Sequence, residues 1–291
     1  MTKQTDIEAL SSVDTLKLKD YFLSQESFSL VKNTSFGFLE TTPQPSLENL
    51  DKYYESENYI SHTDASKSLF EKVYQIIKNY NIRYKFSLLS NKSTSKKLLD
   101  YGCGTGEFLA YAQKKKILIY GIEPNNNART IAEKKVGKKN IGATEIQSIS
   151  EQFDYITLWH VLEHIPNLFE FIKELKSHLK DDGQLLIAVP NHKSYDAKFY
   201  KQFWAAYDVP RHLWHFSPES LEKLFFSFGM KIEKRKPLWF DSYYVSILSE
   251  KYKQSKIGIV RAVWVATLSN LFALFDGNFS SLIYIIRKSP Q

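Results

Sequence analysis

Three glycines, Gly102, Gly104 and Gly106, fall within five positions directly after the apolar run "KLLDY". Glycine loses more backbone freedom on ordering than any other residue, so this crowding marks a main chain that turns sharply or lets something lie against it. "EFLAYAQKKK" follows, with Phe108, Leu109 and Ala112 on one helical face. A strand, a glycine turn and a helix together make a site for a nucleotide-like ligand at the strand's carboxyl end. The helix start offers unpaired N–H groups to an anionic group. Such a site also needs an acidic residue about twenty positions later, at the tip of the next strand, for the ribose hydroxyls. Glu123 in "YGIEPN" stands there.

The spacing separates two ligand classes. A dinucleotide fingerprint, G-x-G-x-x-G, needs glycine at position 107, where this chain has Glu107. The pattern here is G-x-G-x-G, with Asp100 two positions before the first glycine. No pyrophosphate need be cradled; an amino-acid carboxylate can be the anionic group.

A second set of chemically able residues lies further on: His192 in "VPNHKSYD", then His212 and His215 in "DVPRHLWHFSPES". Histidine titrates near neutrality and suits a general base. Arg211, Trp204, Trp214 and Phe216 around them suit an aromatic or anionic acceptor. The competing reading is that these side chains pack a lid or cap the following helix.

The elements that must position these residues alternate in type. "KLLDYG", "ILIYGIE", "FDYITLW" and "DDGQLLIAVPN" read as strands. Between them lie the helix "NNARTIAEKKV" and an amphipathic helix marked by Leu168, Phe171, Ile172, Leu175 and Leu179. Ser217 and Pro218 read as an N-cap and first helical residue, and Gly229 as the position just past that helix. A sixth strand is expected around Lys231 to Tyr244, and "SLIYIIRK" as the last. Strands joined by helices call for crossovers, hence an α/β fold with a mainly parallel sheet covered on both faces.

"LLDYGCGTGEFL" closely resembles motif I of the class I S-adenosylmethionine-dependent methyltransferases, and "FDYITLWHVLEHIPN" and "DDGQLLIAVPN" resemble that family's fourth- and fifth-strand motifs. The resemblance covers roughly Lys97 to Asn191 and points to the subgroup that contains the ubiquinone-biosynthesis O-methyltransferase. It implies a Rossmann-like three-layer sandwich whose seven-stranded sheet is parallel except for the last strand. It implies S-adenosylmethionine as cofactor. Gly102, Cys103, Gly104 and Gly106 would lie beneath its methionine part, with Asp100 near its amino group. Glu123 would bind the ribose, Pro124 would sit beside the adenine, and Trp159 and His160 would line the two ends. Without a ligand, Trp159 reads equally as core, and Cys103 as a small buried residue rather than a nucleophile. The expected activity is methyl transfer to an oxygen, nitrogen or carbon of a small-molecule or lipid-like acceptor. The alternatives are a non-catalytic cofactor-binding regulator and an NAD-dependent oxidoreductase.

Composition narrows the setting. The 291 residues are 43 % hydrophobic, 24 % charged and 15 % aromatic, an ordinary globular balance. A single cysteine excludes an intramolecular disulfide and a cysteine-rich zinc site. With no apolar stretch following a basic start in "MTKQTDIEALSSVD", a cytoplasmic location is expected. The net charge of +7 is spread in lysine pairs and one triplet, two of which close helices, so a solvated surface explains it better than a nucleic-acid face. The [DN]-P-P-[YFW] signature of amino-methylating DNA enzymes is missing where this chain has "LWHVLEH".

"HVLEH", His160 to His164, matches the inverted zinc-protease motif H-x-x-E-H. It directly follows a strand, and Pro166 restricts the chain two residues later, so His164 is expected to make a local structural hydrogen bond. Residues 1–60 read as an N-terminal lobe or lid ahead of a methyltransferase domain at 61–291. The lobe resembles a zinc-ribbon segment of related enzymes, but Asn33 and Phe36 occupy the cysteine positions, so no metal is expected. Residues 191–217 are expected on the acceptor side, with a helical insertion at about 245–280. The insertion's apolar stretch, Ile257 to Phe275, reads as a buried or partner-facing helix, with a membrane-associated helix as the alternative. It could build a dimer face, an acceptor wall or a membrane contact.

Overall fold

In the computed structural model, residues 16–54, 69–90, 95–142, 146 and 149–290 are described. The expected N-terminal lobe therefore lies partly outside the described residues, at 1–15 and 55–60.

The central sheet has seven strands: β4 (Lys97–Tyr101), β5 (Leu118–Ile122), β6 (Ile141–Gly142), β7 (Phe153–Trp159), β8 (Leu179–Pro190), β10 (Met230–Pro237) and β11 (Ser281–Lys288). Their spatial order is β10-β11-β8-β7-β4-β5-β6. β11 runs antiparallel to both of its neighbours, and the other pairs are parallel. β7 is buried along nearly its whole length, as a strand covered on both faces must be. On one face, Phe171, Ile172 and Leu175 of the Leu168–His178 helix pack with Leu221, Leu224 and Phe225 of the Pro218–Ser227 helix. On the other, Phe108, Leu109 and Ala112 pack with Ala132 and Val136 of the Asn126–Val136 helix.

Local signals fix several boundaries. Asn125 accepts from the backbone N–H groups of Asn127 and Ala128 and opens its helix. Ser217 and Ser220 form a reciprocal capping box with Pro218 at the first turn. Three boundaries differ from expectation. Leu179 is not on the helical stripe; it opens β8, opposite Phe153. β10 stops at Pro237, and a helix begins at Asp241 rather than strand continuing to Tyr244. β6 is only two residues long, too short to leave a periodic signature.

A second, antiparallel sheet is formed by β1 (Leu16–Lys19), β2 (Ser27–Lys32), β3 (Leu39–Thr42) and β9 (Trp214–His215). Its fourth strand comes from the segment after β8. Thr41 N donates to Leu213 O at 3.0 Å. Arg211, 1 % exposed, pairs with Asp20 of the N-terminal hairpin at 3.0 Å and with Asp208 at 2.6 Å. Asn33 builds the turn between β2 and β3 by accepting from Ser35 N and Phe36 N, while Phe36 packs on Phe38 and Phe169. Where a zinc ribbon would hold metal, this hairpin is held by an amide and stacked rings.

Candidate cofactor site

β4 ends in the glycine turn, and its geometry is tied to the tip of β5. Gly102 N and Cys103 N both donate to Ile122 O, at 2.8 and 3.0 Å. Gly102 and Gly104 adopt left-handed φ of 72° and 54°, which L side chains rarely do. The two differ in what surrounds them. A Cβ on Gly102 would stand 2.5 Å from a Val161 methyl, whereas a Cβ on Gly104 would meet nothing within 4 Å among the described residues. Gly102 thus lets the loop after β7 close on the turn, and Gly104 presents bare backbone to open space. Gly106 starts the Glu107–Lys114 helix.

Glu123 faces this turn. Its Oε2 accepts from Gly104 N at 2.7 Å and its Oε1 from Asn125 N at 2.9 Å. Burial lifts its carboxyl above the ordinary glutamate value, against the pull of those two N–H groups. Each oxygen keeps a lone pair for a hydroxyl donor. Pro124 is exposed beside it. Asp100, 1 % exposed, accepts from Thr157 Oγ1 at 2.6 Å. Burial pushes its carboxyl up to about 7, opposed by that bond and by Lys85. A cation brought beside it would favour the charged form. Burial also pushes the Cys103 thiol up, which leaves it protonated and a poor nucleophile.

Trp159 ends β7 with its ring against Phe108 at 5.2 Å and the Lys85 ammonium 4.6 Å from its centroid. Its indole Nε1 is buried without a hydrogen-bond partner among the described residues. His160 holds a left-handed φ of 58° and lies between two acids, Asp241 at 2.9 Å and Glu163 at 3.4 Å. Burial works to lower its pKa, but Asp241 and Glu163 prevail and push it up to about 9. The imidazolium is the countercharge for Glu163, which is 1 % exposed; against that burial, it holds the Glu163 carboxyl below the ordinary glutamate value. Lys85 and Asp241 were not legible as site residues, and Glu163 was legible only as part of the H-x-x-E-H match, not as the partner of His160. Lys85 sits in a lysine-containing helix well before the motif, and Asp241 arrives from the far end of the chain.

The H-x-x-E-H pair does not close on itself. The local hydrogen bond expected of His164 is instead long-range: its Nδ1 lies 3.0 Å from Arg211 O and 3.0 Å from Tyr54 Oη, and it ties the loop after β7 to distant segments. Burial, with His212 beside it, pushes His164 down to about 4. Glu163, His164 and His212 bring ligand atoms within 4.8 Å of one another, so this group, rather than His160 with His164, has the geometry to hold a cation.

Of the three candidate base histidines, His212 and His215 lie near each other, with ring centroids 6.4 Å apart, and both are buried rather than open to an acceptor. His212 is buried, with Nδ1 2.9 Å from Ala206 O. His215 is buried with Nε2 2.9 Å from Thr41 Oγ1. The Thr41 hydroxyl gives its one proton to His212 O at 2.6 Å, so His215 Nε2 must be the donor. Of the three, His192 keeps a buried ring nitrogen, Nε2, with no partner among the described residues. Burial, then Lys193, pushes its pKa down to about 4, leaving a neutral imidazole at physiological pH. Around them Trp204 donates to Asp196 at 2.7 Å and Trp214 to Ile165 O at 2.7 Å. Arg211 is likewise fully occupied by Asp20 and Asp208, and is not available to an anionic acceptor.

The methyltransferase-domain family model matches residues 74–235, more than half of the chain. The chain belongs to the class I S-adenosylmethionine-dependent methyltransferases. Among curated relatives, the ubiquinone biosynthesis O-methyltransferase of Glaesserella parasuis is 30 % identical over 114 residues, covering 35 % of this chain and 48 % of the relative. The demethylmenaquinone methyltransferase of Bacillus velezensis is 29 % identical over 150 residues, covering 48 % of this chain and 59 % of the relative. The chain thus spans about half the length of the curated relatives it matches. Among solved structures, magnesium protoporphyrin IX methyltransferase from Synechocystis PCC 6803 with bound SAH superposes with a TM-score of 0.55 at 14 % identity, over 82 % of this chain and 97 % of that one. Mycolic acid cyclopropane synthase complexed with SAH and CTAB gives 0.56 at 15 %, over 84 % and 99 %. These two show the fold.

The site fits the family's cofactor. The open face of Gly104 admits a ligand against bare backbone, Glu123 offers two carboxylate lone pairs beside it, and Asp100 is poised to pair with an ammonium.

Proposed function

We propose that this protein transfers a methyl group from S-adenosylmethionine to an oxygen, nitrogen or carbon of a small-molecule or lipid-like acceptor. The observation that carries the reading is the Glu123 carboxylate held against Gly104 N–H across a turn that is open to solvent. Glu123 would hold the ribose hydroxyls, Asp100 the amino group, and Gly104 the backbone contact. When bound, the sulfonium supplies the activated methyl. The chain's own contribution is to orient donor and acceptor for an in-line displacement. A lipid-like acceptor is supported by two relatives whose names refer to ubiquinone and demethylmenaquinone.

His192 is the residue best placed to take a proton. It lies two residues past the end of β8, beside β7 with Trp159 at its tip, and its Nε2 has no hydrogen-bond partner among the described residues. Incubation with isotopically labelled S-adenosylmethionine and a metabolite and lipid extract, followed by mass spectrometry, tests the activity. Label is expected in an extract component only with active protein. Unchanged turnover on the recovered acceptor after His192→Ala would remove the base assignment while leaving the transfer itself intact.

A further inference from the structure

The Gly258–Asp276 helix is apolar on nearly every side, yet only 28 % of its most hydrophobic window is buried. Of the expected buried or partner-facing helix, the buried alternative fails, because most of its side chains are exposed. A narrow stripe of mostly small residues, Ala262, Val265, Ala266, Ser269 and Ala273, faces the protein. Polar ties fix the helix along the domain surface: Arg261 forms a bidentate pair with Glu250 at 2.7 Å, Ser269 Oγ donates to Asp196 at 2.7 Å, and Asn270 Nδ2 donates to Trp239 O at 2.9 Å. On the outer side Phe275 is 90 % exposed, Val260 76 % and Trp264 54 %, with Val263, Leu271 and Phe272 between them. Soluble monomers rarely leave so continuous an apolar face in water.

Charge surrounds one end of this face. Lys251 and Lys256 are exposed on the chain leading into the helix. The Lys253 ammonium stands 5.7 Å from the Phe199 ring, which in turn packs edge-on to Trp264 at 6.4 Å. Lys198, next to Phe199, is also exposed. The positive end of the helix dipole adds to the same field. Of the acids nearby, Glu250 is paired with Arg261, Asp196 is buried and accepts from Ser269, Trp204 and Ser280, and the exposed carboxylate on the helix itself, Asp276, lies at its far end.

We propose that this face docks on an anionic lipid bilayer, with the helix lying in the interface and the lysines against the headgroups. An interfacial helix carries this combination of an apolar side, aromatic anchors and a basic border. A helix of 19 residues, about 28 Å long, lies flat here because its inner stripe and the Arg261 pair hold it to the domain. A second copy of this chain is the poorer occupant: this helix would bring one exposed carboxylate to meet a border of four lysines, whereas anionic headgroups neutralise all of them. The Tyr195–Tyr200 helix, which follows the end of β8, packs on the same element through Tyr195 and Phe272 at 4.8 Å. The membrane face is thereby continuous with the segment that leaves the sheet beside the site. The inference does not depend on the methyl-transfer reading, because the test reads binding rather than turnover.

The test is co-sedimentation of the full chain with vesicles of phosphatidylcholine alone and with added phosphatidylglycerol, together with Trp264→Phe as a fluorescence control. Binding is expected on the anionic vesicles, weakened by salt, with a blue shift that Trp264→Phe diminishes. The double variant Val260→Glu/Phe275→Glu should abolish binding. Lys253→Glu and Lys256→Glu should each weaken it by at least about fivefold, the fold-change for one lysine near an anionic surface. Both sets change exposed side chains, and circular dichroism with cofactor calorimetry checks that the fold persists. The proposal is overturned if the wild-type chain stays in the supernatant with both vesicles. It is overturned equally if the chain is a dimer that Val260→Glu/Phe275→Glu converts to a monomer while vesicles make no difference.

Discussion

The glycine turn and the 191–217 segment both hold residues able to do chemistry, and the structure treats them in opposite ways. At the turn the polar groups are left with capacity to bond: Gly104 faces open space, Glu123 keeps lone pairs, and Trp159 Nε1 has no partner among the described residues. In the 191–217 segment most are already joined. Arg211 bridges Asp20 and Asp208, His215 donates to Thr41, and both tryptophan indoles there donate to oxygens. A binding site is distinguished by bonding capacity left open in a fixed frame, more than by residue type. The second region is chiefly a clamp that fastens the small sheet to the large one.

The contrast can be broken first at the clamp. Arg211→Ala should cost about 3–5 kcal/mol of stability, the scale for stranding buried acids by removing their partner. Denaturant unfolding measures this, and the folded fraction should bind S-adenosylmethionine as the wild type does. A loss of affinity with unchanged stability would make Arg211 a ligand-binding residue instead.

The two glycines sharpen the comparison within the turn. Gly102→Ala drives a methyl to 2.5 Å from Val161 as well as straining φ, so it should destabilise more than Gly104→Ala. Gly104→Ala carries only the left-handed penalty, about 1–2 kcal/mol, but places a methyl where the ligand would lie. Calorimetric affinity should fall more than its stability does. Equal effects from the two substitutions would deny them different roles.

A pH profile gives the smallest expected effect. His160 has its pKa raised to about 9, so its stabilising pairs are fully present below about pH 6.5, the ordinary histidine value, and are lost as pH rises through 9. His164 and His192, lowered to about 4, act in the opposite sense: their contribution is present above that ordinary value and lost as pH falls through 4. The melting temperature should therefore decline on both sides of neutrality, and His160→Asn should flatten the alkaline side. A profile unchanged by that substitution would remove the Asp241–His160–Glu163 chain from the account.

Much of the frame was legible in the sequence because it rests on local signals. Periodicity marked β7, β11 and the Asn126–Val136 helix, and the cap residues marked Pro218. Glu123 was legible for the same reason: its distance from the glycines is set by one helix and one strand. What stayed hidden depends on long-range assembly. Nothing near Asp241 shows that its helix starts beside His160, 81 positions earlier by the chain numbering. Nothing near Trp214 shows that it forms a strand with Glu40. The histidines of 191–217 were legible as chemistry but not as structure, because ring type does not reveal whether Thr41 or Ala206 already occupies a nitrogen.

The most direct measurement is isothermal titration of S-adenosylmethionine into the wild-type chain and Glu123→Ala. The wild type should bind at one site, and the variant should lose about 1.5–3 kcal/mol, the range for hydrogen bonds to a charged group, or roughly ten- to hundredfold in affinity. Undiminished binding by Glu123→Ala, or no binding by the wild type, would contradict the assignment of the glycine turn and its carboxylate as the cofactor site.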